Sequence, residues 1–291
     1  MGVASHAQRL PQNAAGDLYV DATCIDCGMC RWLAPATFDE QDDLSYVRRQ
    51  PETADETKLA LMALVGCPTG SIGSERKPDL APIVASFPTS IDDGVFYCGF
   101  HAEASFGATS YLIVREAGNV LVDTPRFTRL LVERIAEMGG VATIFLTHRD
   151  DVADHAKWAA RFGARRILHA DDVSDGTRDV EHKLEGEAPI SLAEDLLAIP
   201  TPGHTRGSMC LLYRDKFLFS GDHLAWSRRR GHPVAFRDAC WYDWRVLRRS
   251  MERLLAFRFE WVLPGHGERF RFPSSEMPAQ MQRCLDWMTT A

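Results

Sequence analysis

"THRDDVADH", residues Thr147 to His155, decides how the larger part of this chain is read. It holds two histidines and three aspartates between an apolar run, "VATIFL" (141–146), and a helical pattern, "DHAKWAARFGA" (154–164). Hard ligand residues where a buried strand ends are a metal-site signal, and the pattern recurs three times. "PTPGHTRGS" with His204 follows "LLAI", "SGDHL" with Asp222 follows "KFLF", and "LPGHG" with His266 follows "FEWV". Glycine stands beside these later three, where it lets the backbone turn sharply and aim a side chain back into a shared pocket.

Working outward, β-branched runs alternate with amphipathic segments. "GVFYCGF", "TSYLIV", "NVLVD", "ATIFLTH", "RRILHA", "LLAIPTPGH", "GSMCLLYR", "KFLFSGD" and "FEWVLPGHG" read as strands. "RFTRLLVERIAEMGG", "DHAKWAARFGA", "WRVLRRSMERLLAF" and "PAQMQRCLDWM" read as helices. The class is α/β, with ligand candidates at strand ends, where open α/β architectures place their sites.

This order of residues resembles the metallo-β-lactamase superfamily over residues 83–291. The resemblance implies an αββα sandwich with a one- or two-metal site at its edge. It implies that His148 and His204 serve a first metal, that Asp222 bridges, that His266 serves a second, and that Asp154 and His155 of the opening loop join the ligand set. The departure lies in that loop. The family pattern has a histidine at the second place, where this chain has Asp150, and two extra residues precede Asp154–His155. Asp150 keeps the spacing from His148 and is taken as a ligand, with Asp151 the alternative. Asp154 is also readable as a helix N-cap or as a catalytic group that orients water. His223, beside Asp222, is read as a further catalytic or supporting residue.

A carboxylate in place of a histidine hardens the site, and carboxylate with imidazole suits iron or manganese at least as well as zinc. The flavodiiron proteins, within the same superfamily, are similar in carrying a carboxylate at that place. Two divalent metals are therefore expected, iron favoured, with zinc or manganese as alternatives.

The second signal is "CIDCGMC", with Cys24, Cys27 and Cys30, followed much later by Cys67 in "GCPTGSI". Iron–sulfur clusters take three thiolates from one tight loop and a fourth from elsewhere. No second CxxCxxC occurs, so the four cysteines are read as ligands of one 4Fe-4S cluster. Residues 17–75 resemble a single-cluster bacterial ferredoxin, a small α+β domain, in which "PETADETKLALMALVGC" is a helix delivering Cys67. The cluster is read as an electron carrier, with a structural role as the alternative.

The remaining organisation follows from composition. Residues 1–16 read as a flexible tail, 76–82 as a Pro-containing linker, and 83–291 as one domain. A net charge of −7 argues against nucleic acid or an anionic membrane as partner. No run of about 18 apolar residues and no signal-peptide core is seen, which makes the cytoplasm the expectation. The partner expected is a small-molecule substrate, with an external electron donor and homo-oligomers left open. Arg228, Arg229, Arg230 and Arg237 form a basic stretch after Asp222, read either as a substrate loop or as solvated surface. His101 and His232 are weak candidates, and Cys98, Cys210, Cys240 and Cys284 read as buried thiols.

Two functions emerge. One is redox: a dinuclear metal site fed by the cluster, acting on O2, another small oxidant or an organic substrate. The other is hydrolysis of a thioester, lactone or phosphodiester at a zinc site, where metal makes water acidic near neutral pH, with a structural or regulatory cluster.

Overall fold

The computed structural model describes residues 3–290. Two sheets form the bulk of it. In the first, Thr89–Asp92, Val95–Tyr97, Tyr111–Ile113 and Val120–Val122 run as an antiparallel meander, continued in parallel by Thr143–Phe145, Arg165–His169 and His182–Leu184. In the second, Ile190–Ala193, Leu196–Pro200, Met209–Tyr213 and Phe217–Gly221 are antiparallel. Trp261–Pro264 then joins Phe217–Gly221 in parallel, and Phe270–Arg271 closes the edge.

Alternation along the strands explains why the sheets stack with helices outside. Tyr111 and Ile113 point into the core between the sheets, with Val120, Val122, Leu211 and Phe219. Leu112, Leu121 and Ile144 face the other way, against Leu131 and Ile135 of helix Arg129–Glu137 and Trp158 of helix His155–Phe162. Cys210, Leu212 and Leu218 likewise pack on helices Trp244–Leu254 and Met277–Met288. Strands apolar on both faces need cover on both faces, and the result is four layers.

The N-terminal region is a small α+β unit. Leu18–Val20 pairs antiparallel with Ile72–Ser74, so its two ends meet. Helix Met29–Leu33 follows the cysteine loop, and helix Ala54–Gly66 carries the chain to Cys67. The start of that second helix is locally encoded: the Thr53 hydroxyl accepts from the Glu56 amide (3.1 Å), and Glu56 accepts in return from the Glu52 amide (2.8 Å).

Two expectations need correction. Residues 3–16 are not a loose tail: Leu10 is buried, Arg9 bridges to Asp21, and the Asn13 side chain accepts from the Val20 and Val47 amides while donating to the Leu10 and Val20 carbonyls. That one amide side chain satisfies backbone groups at a sheet edge and so fastens the segment. Met1 and Gly2 lie outside the described residues. Residues 76–82 join units that are not independent either: one continuous apolar core runs from Val20, Ala63 and Ile72 through Phe87 and Cys98 to Leu112 and Leu121.

No helix among the described residues is long and apolar enough to cross a membrane.

Candidate metal centre and cluster site

All four strand-end segments open at one end of the sandwich. His148 leaves strand Thr143–Phe145 through Thr147, whose amide and hydroxyl both donate to the Asp123 carboxylate (2.8 and 2.9 Å). The loops bearing His148 and His204 are tied together by Asp172, which accepts from the Arg149 amide (3.0 Å), the Thr205 hydroxyl (2.5 Å) and the Gly207 amide (2.7 Å). The His266 loop is held by the Tyr111 hydroxyl, which donates to the Pro264 carbonyl (2.8 Å), and by the Thr109 amide, which donates to the Gly265 carbonyl (2.6 Å). Gly221 has φ +50, and a Cβ there would sit 2.7 Å from the Thr147 hydroxyl, so only glycine lets Asp222 approach.

The polar atoms then converge. His148 Nε2 lies 3.9 Å from an Asp150 oxygen, and the same Asp150 oxygen is 3.4 Å from His204 Nε2. Asp222 Oδ2 is 3.8 Å from both imidazoles. His148, Asp150 and His204 form one group able to hold a metal ion; His148, Asp151 and Asp222 form a second. Asp151 and Asp222 press together over Gly265, where a Cβ would meet their oxygens at 2.5 and 2.8 Å. His148 Nε2, both ring nitrogens of His204 and both oxygens of Asp151 are buried without a hydrogen-bond partner. Buried polar groups are normally paired, and metal ions here would take up His148 Nε2, one His204 ring nitrogen and the Asp151 oxygens. The donors fit a metal.

The electrostatics agree. Burial, reinforced by Asp222, raises the Asp151 carboxyl well above the usual range. Asp222 is depressed instead: burial opposes its charge, but His266 overrides that through charge and hydrogen bonds, helped by His148 and His204. Burial would lower His266, but the Asp222 carboxylate, 2.9 Å from Nδ1, and then Asp151, raise it to about 10. Asp150 is lowered by its contact with His204 despite partial burial. Burial lowers His148 to about 4, so it is a neutral donor.

Asp154 and His155 do not join this set, which corrects the expected carry-over. The two added residues move the pair to the start of helix His155–Phe162. The Asp154 carboxylate accepts from the Phe127 amide (2.8 Å) and Lys157 Nζ (2.7 Å); it neither caps the helix nor lines the cavity. His155 Nδ1 lies 3.3 Å from Arg166, which is itself held by Asp179 and Glu181. His223 is buried and lowered to about 3 by desolvation and by the nearby His204 and His148, and it does not line the cavity. Three of the four arginines of the basic stretch are partnered at the surface: Arg228 pairs with Glu268, Arg230 lies over Trp287 and Arg237 over Trp244, while Arg229 is exposed.

Sequence reasoning missed Asp123 and Asp172, whose only signal is position at a strand end. His101, a weak site candidate in the sequence, is a packed histidine that does not line the cavity. This histidine is buried at the junction of the two units, where its amide donates to the Gly66 carbonyl (3.2 Å). Its Nδ1 faces the Gly107 and Ala108 carbonyls (2.7 and 2.9 Å), so that nitrogen carries the proton, and Nε2 accepts from the Tyr97 hydroxyl (2.6 Å). Burial lowers it to about 4.

The second site is close by. Cys24, Cys27, Cys30 and Cys67 line one small cavity and form no disulfide. Burial pushes the Cys30 thiol up to about 12, and Cys27 is raised by burial and then by Cys30. Four free cysteines in one cavity, two buried and two half-buried, fit a cluster, whose iron supplies the charge that thiolates need there. Gly107 (φ +82) packs directly on this loop, where a Cβ would stand 2.8 Å from Cys27 Sγ. Its neighbour Phe106 turns its carbonyl to His266 Nε2 (3.2 Å). Cys27 and Gly28 line the same cavity, about 850 Å³, as Asp150, His204, Asp222 and His266.

Comparison with known proteins follows this division. Residues 20–74 match the family described as the 4Fe-4S single cluster domain of Ferredoxin I. DIM-1 metallo-β-lactamase superposes with a TM-score of 0.53 at 15% identity, covering 69% of this chain and 95% of that one. VMB-1 gives 0.53 at 13% identity, with the same coverage of 69% and 95%. A hydroxyacylglutathione hydrolase of Anaeromyxobacter dehalogenans (strain 2CP-C) is 30% identical over 146 residues, 46% of this chain and 55% of that protein. The chain thus spans about half the length of that curated relative. An N-terminal single-cluster 4Fe-4S ferredoxin domain precedes a metallo-β-lactamase fold.

Proposed function

We propose that the chain is a metal-dependent oxidoreductase in which a dinuclear iron site in the sandwich takes electrons from the fused 4Fe-4S cluster. One observation carries this reading: the loop bearing Cys27 walls the same cavity as Asp150, His204, Asp222 and His266. A continuous path of contacts joins the two, from Cys27 to Gly107, from the Phe106 carbonyl to His266 Nε2, and from His266 Nδ1 to Asp222. When bound, the cluster supplies single electrons and the metal pair supplies open coordination positions for an oxidant or organic substrate.

The chain's own residues do the rest. His148, Asp150 and His204 would hold one metal, with Asp151 and His266 beside the other and Asp222 between them. These donors are three imidazoles and three carboxylates without sulfur, a set that suits iron or manganese at least as well as zinc. Arg126 comes from the sandwich and directs its guanidinium to the Val65 and Pro68 carbonyls, beside Cys67. A half-buried cation there favours the reduced, more negative cluster.

The test is metal analysis of anaerobically purified protein, with and without serine at Cys24, Cys27 and Cys30. The reading expects about two irons per chain to survive loss of the cluster; about two zincs and no iron would overturn it. A second reading is metal-dependent hydrolysis, favoured by the relative named hydroxyacylglutathione hydrolase. Under it the cluster is structural or regulatory, and the zinc outcome is the expected one.

A further inference from the structure

Three aromatic side chains are exposed among the described residues: Phe106 (55%), Trp241 (61%) and Tyr242 (50%). Large exposed rings are costly unless something covers them, and clustered ones mark binding surfaces. Phe106 and Trp241 both line the cavity over the candidate metal centre. Each is bolted to one of its histidines. The Trp241 amide donates to the His204 carbonyl (2.9 Å), and its ring lies 6.3 Å from the His204 ring. The Phe106 carbonyl accepts from His266 Nε2 (3.2 Å), and its ring lies 6.1 Å from the His266 ring.

From this arrangement we infer that the cavity takes a planar aromatic acid, its ring held by Phe106 and Trp241 and its oxygens directed at the metal centre. Four features carry the assignment. The rings are presented from backbone fixed to the site, so little conformational freedom is lost on binding. Phe236 and Ala239 extend the apolar wall, and a cavity of about 850 Å³ admits a fused ring system. The less engaged cation at the wall is Arg149, half exposed, with a single long ion pair to Asp150 (3.7 Å). The other, Arg31, is already engaged by Asp26 (2.7 Å) and Glu40 (2.9 Å). The floor of three aspartates would repel an acid unless metal neutralised it, so this inference rests on the metal-centre reading of the site.

The experiment compares two hydroxy acids by calorimetry on the metal-loaded full chain: 1-hydroxy-2-naphthoate, and glycolate as the same chelating chemistry without a ring. The naphthoate should bind at least about tenfold more tightly, as expected for ring stacking and apolar burial. Trp241→Ala and Phe106→Ala should each lower naphthoate affinity about fivefold or more and leave glycolate within about twofold, while Trp241→Phe keeps the preference. Both residues are exposed, so the variants fold. Equal affinity for the two acids in the wild type, or a preference that survives both alanine variants, overturns the inference. The two readings separate cleanly: stripping the metals tests the metal centre through the affinity for both acids, whereas the naphthoate-to-glycolate ratio in the loaded protein tests the aromatic site.

Discussion

The cluster loop and the metal pocket share a wall, yet they are assembled in opposite ways. Three of the four cysteines fall within residues 24–30, and the fourth is delivered by the end of one helix. The pocket draws its six polar residues from four loops spread between His148 and His266, and none is near another in sequence except within the first loop. The cluster site is therefore set by local chain geometry. The pocket is set by sheet register and by buried tethers such as Asp123 and Asp172. A local site should tolerate changes elsewhere, whereas a distributed site should fail when any tether fails.

The largest effect expected tests whether the two sites are separable. Asp222→Asn removes the carboxylate that lies 3.8 Å from both His148 and His204 Nε2 and 2.9 Å from His266 Nδ1. It should weaken metal retention by at least about a hundredfold, with iron and sulfide of the cluster unchanged on analysis after dialysis. Loss of the cluster as well would break the comparison.

A second prediction concerns the junction. His101 is neutral and buried, with its pKa lowered from 6.5 to about 4. The unfolded chain takes up a proton below about pH 6.5 that the folded chain refuses until about pH 4. Stability is therefore fully present above pH 6.5 and lost as pH falls toward 4, by about 3 kcal/mol. His101→Leu should reduce the proton uptake on unfolding by about one between those limits, as read from denaturant midpoints across pH. An unchanged slope would mean that burial does not hold His101 neutral in the folded chain.

Third, Gly107→Ala strains a left-handed residue and pushes into Cys27. It should cost about 2 kcal/mol and lower cluster occupancy more than metal occupancy. Fourth, Asp154→Asn with His155→Gln should leave metal content unchanged, because both side chains are engaged elsewhere; any loss of metal would place them back in the pocket.

What the sequence made legible follows the same line. CxxCxxC with a later Cys-Pro is a short-range geometry, and it marked the ferredoxin domain that the family match also identifies. Apolar runs on both sheets carried their periodicity into strands, and His148, His204, Asp222 and His266 stood at their ends. Asp154 and His155 were read as a helix start, which the structure has, and as ligands by carry-over of the family pattern; their side chains meet Phe127, Lys157 and Arg166 instead. Asp123 and Asp172 look like ordinary turn acids until the third dimension brings Thr147 and Thr205 to them. The polar hairpin Phe38–Gln41 and Leu44–Val47, in "FDEQDDLSYV", has too little apolar alternation to announce itself. The packed N-terminal segment hangs on Asn13, a residue that composition reads as a solvated loop.

The central claim is that electrons pass within the chain from the cluster to the pocket. The direct measurement is to reduce the cluster photochemically under anaerobic conditions and follow its paramagnetic signal in the metal-loaded wild type and in Asp222→Asn. The account predicts a fast decay of the reduced-cluster signal in the wild type that is absent in the variant. A reduced cluster that persists equally long in both would contradict it and leave the cluster a structural or regulatory part of a hydrolase.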